Sequence, residues 1–173
     1  MKKNIYRALF VCALVLSQQI VFAQKQFKNA IAYNDYLAST TDTLYSEGQK
    51  WGEHFNKVYT SRDFASLGER RKKLLSFIKR KQVEVLTMRD LGGSEMLRLA
   101  MLDFLFFEER MITEVFLPLE KLNSKSNTAE IDAAVKNLTE MAKQEDKYIK
   151  KVNQAQEVYA AKNGFTIDKE EED

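Results

Sequence analysis

The 173-residue chain contains one cysteine, one proline, one histidine and six glycines. Each shortage excludes something. So few turn formers rule against an all-β or loop-rich domain. The single histidine rules out a di-iron carboxylate bundle, which needs two inward-facing Glu-x-x-His pairs. His54 has Trp51, not glutamate, three residues before it, and paired-histidine haem ligation fails for the same reason. His54 therefore reads as a surface or helix-packing residue. No Gly-x-x-x-x-Gly-Lys phosphate loop exists, and no serine sits in a strand–turn–helix elbow.

The cysteine, Cys12, lies inside an N-terminal export signal. Lys2, Lys3 and Arg7 form a positive region; an apolar stretch runs from Ala8 to Leu16 and resumes at Ile20 to Phe22. Val21 and Ala23 occupy the −3 and −1 positions of a small-residue cleavage site, the order of a secretory signal peptide. Ser17, Gln18 and Gln19 interrupt the apolar part, which falls short of the ~20 residues a membrane span takes. Phe10 and Val11 before Cys12 do not make a lipobox, so no lipid anchor is expected. Cleavage leaves Gln24 first and no thiol, which excludes disulfides, thiolate metal sites, covalent haem and cysteine nucleophiles. The expected location is the periplasm, the medium or the cell surface, with no transmembrane helix in the mature chain. No cofactor or metal is expected. Losing residues 1–23 moves the formal charge from +2 to −1, so nothing global favours nucleic acid.

What remains is dominated by helix formers with apolar residues at helical spacing. A first segment, 34–60, carries Leu37, Leu44, Trp51, Phe55 and Val58 on one stripe, with Gly48 and Gly52 four apart, where they would permit close helix approach or weaken the helix. Ser61-Arg62-Asp63 breaks the pattern and supplies capping side chains. A second segment, 64–89, buries Phe64, Leu67, Leu74, Leu75, Ile78, Val85 and Leu86. Asp90-Leu91-Gly92-Gly93-Ser94 is a turn signal, with Ser94 a candidate cap. The third segment is the most apolar and should be the most buried; Pro118 kinks or ends it. Asn127 and Glu130 form a capping-box pattern before a fourth segment with Ile131, Val135, Leu138, Ala142, Ile149, Val152 and Tyr159 on one stripe. Lys162-Asn163-Gly164-Phe165 stops it. The expected fold is all-α: an up-down-up-down antiparallel four-helix bundle over 24–167, preceded by the cleavable signal peptide 1–23 and followed by an acidic disordered tail, 168–173.

Two groups of residues are candidates for function. Arg70, Arg71, Lys72, Lys73, Lys79, Arg80 and Lys81 on the second helix would meet an anionic glycan, a lipid headgroup or an acidic protein, or simply face solvent. No aromatics interleave with them as a base-stacking platform requires. Asp103, Glu145 and Tyr148 would form a carboxylate–tyrosine pocket. Asp103 shares its helix with Glu108, Glu109 and Glu114, which read equally as a polar stripe. Glu145 falls on the apolar stripe of the fourth helix, where it would pair with a cation across the bundle or mark drift of the stripe.

Several stretches also carry a resemblance: Ala32-Tyr33-Asn34-Asp35, Arg62-Asp63-Phe64-Ala65, Gly93-Ser94-Glu95-Met96-Leu97-Arg98-Leu99-Ala100-Met101-Leu102-Asp103-Phe104, and Ala155-Gln156 with Tyr159 to Phe165. In order and spacing this resembles the Leptospira-type family of small bacterial surface proteins. The resemblance implies an exported helical bundle, often lipid-anchored, with no assigned reaction; this chain differs in lacking a lipobox.

Three functional expectations follow. A partner-binding bundle would use the basic helix or an aromatic groove. A small-ligand carrier or enzyme would need an internal pocket built on Asp103 or Glu145 with Tyr148. An oligomerising bundle would leave one apolar stripe exposed after the bundle closes.

Overall fold

The computed structural model describes residues 25–167. The signal peptide 1–23 and the tail 168–173 read from the sequence lie outside them. Four long helices make up the fold. Helix α1 spans Ala30–Ser61, α2 spans Gly68–Thr87, α3 spans Glu95–Arg110 and α4 spans Thr128–Asn163. A 3-10 turn, Phe64–Leu67, leads into α2. Helix α3 continues into a π-helical stretch, Met111–Phe116, and one last α-turn, Leu117–Glu120.

Cross-helix bonds set the directions. Glu47 meets Arg70 while Tyr36 meets Glu84, so α1 and α2 run antiparallel. Arg71 pairs with Glu120 and Gln82 with Glu109, which reverses α3 against α2. Asp103 binds Lys151 and Asn137 bonds the Glu114 carbonyl, reversing α4 against α3. Asn34 and Gln156, both buried, bond at 3.3 Å and close α4 onto α1. This is the up-down-up-down bundle, packed around one continuous apolar core.

The ends follow local chemistry. Asn29 caps α1 by accepting from the Ala32 amide at 2.9 Å. At the end of α1 the Ser61 hydroxyl donates to Val58 O at 3.2 Å and accepts from the Asp63 amide at 3.5 Å, but Asp63 makes no side-chain cap. Instead Arg62 turns left-handed at φ 60°, bonds Val58 O through its amide, and donates its guanidinium to Ser126 O at 3.0 Å. Ser94 is also no cap. Its buried hydroxyl donates to Asp90 Oδ1 and accepts from the Leu91 amide, bracing the loop rather than the helix. Gly92 and Gly93 are both left-handed, at φ 64° and 77°, with α4 packed close against them. Tyr159 and Asn163 donate to Leu91 O and Gly92 O at 2.8 and 3.2 Å. The capping box at Asn127 forms in both directions, at 2.9 and 3.1 Å. Gly164 takes φ 71°, the Phe165 amide bonds Ala160 O, and the Phe165 ring folds edge-on to Tyr159.

Pro118 stands two residues before the helix ends at Glu120. It lies in the last α-turn, just after the π-helical stretch, in which Leu117 N–H bonds Ile112 O five residues back. Proline cannot donate to Glu114 O, and Asn137 of α4 supplies that carbonyl with a donor at 3.4 Å. Phe116, at the end of the stretch, stacks face to face on Trp51 with centroids 3.6 Å apart, and Phe55 stacks on Trp51 at 5.5 Å.

Three burial expectations need correction. Leu86 is exposed because α2 turns it to the outer α3 side; Ala142 is also exposed. Arg71, read as wet, is buried because Glu120 neutralises it. Gly48 and Gly52 do not serve close approach: a Cβ on either meets no atom within 4 Å.

Candidate functional site

The basic run of α2 does not form one free cationic face. Arg70 meets Glu47 at 3.5 Å, Arg71 is buried against Glu120, Lys73 meets Glu69 at 2.7 Å and Lys79 meets Glu109 at 3.5 Å. Arg80 and Lys81 share Glu84 at 3.9 and 3.1 Å. Lys72 is the one of the seven without a carboxylate partner among the described residues. Lys81 turns inward, donating to Tyr36 Oη at 2.7 Å and lying 4.2 Å over the Tyr36 ring. Burial and the hydrogen bond to Glu84 push the Tyr36 hydroxyl above its ordinary pKa. Burial opposes ionisation of Glu84, but hydrogen bonds from Tyr36 and Lys81 prevail and hold it below the usual carboxylate range. Arg70, Arg71 and Lys79 thus bridge to α1 and to the α3 side, while Lys73, Arg80 and Lys81 pair with Glu69 and Glu84 of α2 itself. Glu69 and Glu84 are readable beside the run, whereas Glu47, Glu109 and Glu120 come from other helices, which the run itself does not reveal.

The residues of the candidate pocket separate. Asp103 and Tyr148 line a surface cleft of about 410 Å3 between α3 and α4, with Phe106, Phe107, Arg110, Lys147 and Lys151. Tyr148 stacks on Phe107 at 4.5 Å, and Asp103 is bound by Lys151. Glu145 does not line the cleft. It points inward to Glu108 of α3, so its partner is a second carboxyl group rather than a cation. Glu108 is 8 % exposed and its Oε1 has no hydrogen-bond partner. Burial, the adjacent Glu145 charge and their shared hydrogen bond push Glu108 up to about 8. Burial also raises Glu145, and the neighbouring Asp146 charge adds to it. Two carboxyl groups so placed share a proton, because both cannot ionise in a poorly solvated site.

Sequence reading missed Phe106, Phe107, Arg110, Lys147 and Lys151 as one surface. The available signal was the i, i+4 spacing of Lys147 and Lys151 around Tyr148, which gains meaning only once Asp103 fixes the α3–α4 register.

Beside the cleft, α3 keeps an apolar outer seam. Met96, Leu99 and Phe106 are 53, 48 and 52 % exposed. With Asp103 and Arg110 they follow the alternating three-and-four spacing of a coiled-coil seam. Leu86 lies one turn beyond Gln82, which bonds Leu105 O and Glu109, so Leu86 and its exposed neighbour Val83 flank the seam from α2. Val158 lies two turns beyond Lys151, opposite Met96.

His54 meets Ser66 Oγ at 3.2 Å, a local contact across the α1–α2 connection. Among the described residues, no group of three or more His, Cys, Asp or Glu gathers as a metal site, and no helix is long and apolar enough to cross a membrane. Comparison with known proteins finds no matching family model, no matching curated protein and no matching solved structure.

Proposed function

We propose that this chain is an exported, non-enzymatic helical-bundle protein that holds a protein partner against the aromatic groove between α3 and α4. One observation carries the reading: Phe106 stands half exposed at the edge of the groove, beside the Phe107–Tyr148 stack, with Met96 and Leu99 extending the apolar surface along α3. A large exposed aromatic flanked by apolar side chains on one helix and rimmed by charge has the composition of a contact patch. The version built on the basic helix is set aside, because six of its seven cations already meet carboxylates. The signal-like N-terminus and the resemblance to Leptospira-type surface proteins support the export half of the reading. An intact mass beginning at Gln24 tests that half; retention of residues 1–23 overturns it.

The groove is tested by a photo-crosslinking residue placed at Phe106 or at Lys72 in the native cell. Adducts of defined mass are expected from position 106 and not from 72. Adducts from 72 with none from 106 overturn the reading.

A second reading, a small-ligand carrier, is favoured by the cleft volume, which lies within the ~300–1,000 Å3 of ordinary ligand sites. Arg110, Lys147 and Lys151 around an aromatic wall suit an aromatic carboxylate. Benzoate should then shift the Tyr148 and Phe107 ring resonances, and no shift at about 10 mM, a concentration that detects even millimolar binding, removes it.

A further inference from the structure

We infer that the partner seated on the α3 seam is a second copy of this chain, in an antiparallel two-fold pairing of α3 about Phe106. The inference rests on the reading of this groove as a contact surface. The charges on the seam are self-complementary. Asp103 and Arg110 lie one heptad apart on either side of Phe106, on the same outer line of α3. An antiparallel dyad at Phe106 sets Asp103 of each copy against Arg110 of the other. The same register brings the two Phe106 rings together at the centre. A two-fold interface requires this kind of patch, in which residue i meets j and j meets i.

Both charges of the pairing are accessible. Asp103 is held by Lys151, but its side chain is 50 % exposed; Arg110 meets Glu114 at 3.5 Å and is 49 % exposed. Each keeps open positions for a second partner, so Asp103 would bridge Lys151 and the facing Arg110. Val83 and Leu86 of α2 flank the seam and extend the apolar area that a second copy covers. A parallel pairing would instead set Asp103 against Asp103 and Arg110 against Arg110, and repulsion disfavours it. A single helix face offers less than the ~1,200–2,000 Å2 of a standard interface, so the dimer should be weak.

The test is sedimentation velocity of the protein as purified from the expressing cell, over about 1 µM to 1 mM, the range in which a weak association is read. Wild type is expected to pass from monomer to dimer. Asp103→Arg and Arg110→Asp should each weaken dimerisation about tenfold or more, because each sets like charges together. The double variant Asp103→Arg/Arg110→Asp exchanges both signs and should recover most of the affinity. Far-ultraviolet dichroism of each variant reports that the bundle is folded. A monomer at every concentration, or a double variant no better than either single one, overturns self-pairing. If self-pairing fails but position 106 still yields an adduct with a different protein, the proposed function stands without this partner. No adduct at position 106 removes both.

Discussion

Glu108 is a carboxyl group placed where a charge is costly. The unfolded chain releases this proton near the ordinary 4.5, whereas the folded chain holds it to about 8. Between those values the native state binds more protons, so stability falls as pH rises through the window and levels off above it. Glu145 is raised as well, which adds in the same direction. Glu108→Gln keeps the shape and cannot ionise. It should flatten the decline of urea stability between about pH 5 and pH 8 and leave the variant more stable than wild type at pH 8.5 by roughly 1–3 kcal/mol, since a tenfold change in proton affinity is worth about 1.4 kcal/mol. Parallel pH profiles for the two proteins would show that the pair is solvated. Burial of the pair was not legible in the sequence. Glu145 stood out on an apolar stripe, but nothing in one helix says that the facing residue is another acid.

At the scale of the helix, Gly48 and Gly52 sit inside α1 with room for a methyl group at each. Glycine costs a helix interior up to ~1 kcal/mol relative to alanine. Gly48→Ala and Gly52→Ala should therefore each raise the unfolding free energy by about 0.5–1 kcal/mol, read as a higher denaturant midpoint. A loss of stability would mean that the backbone there needs a freedom the helical geometry does not require. The α4 start behaves oppositely. Asn127→Ala removes one arm of a formed capping box and should cost about 1 kcal/mol. Asn127 and Glu130 were readable three residues apart because capping is a local transaction. The break after α1 was readable at Ser61-Arg62-Asp63 as well, but its anchor was not, because the Arg62 side chain bonds Ser126 O, 64 residues away.

At the scale of the whole molecule, the buried apolar side chains of all four helices form one cluster among the described residues. Trp51, the only tryptophan in the sequence, sits 2 % exposed between Phe55 and Phe116 and so reports on that core from α1 and the π-helical stretch together. Its emission should be blue-shifted, and its unfolding curve should coincide with that of helical dichroism. Separated curves would show that the end around Trp51 melts independently of the Asn34–Gln156 end.

The sequence by itself determined the all-α class, four helices, the turn glycines at 92 and 93, the Asn127 box and the Gly164 stop. These depend on residues within one or two turns of each other, through propensity, periodicity and capping. Tertiary structure alone decided which charges are free, that Glu145 faces Glu108, that Leu86 and Phe106 stay outside, and that Asp103 and Tyr148 share a cleft without Glu145. The physical reason is register. A helical stripe fixes which side of one helix is apolar, but a side chain's neighbours depend on how far each helix slides and rotates against the next. Long-range bonds such as Asp103–Lys151 and Arg71–Glu120 record that setting.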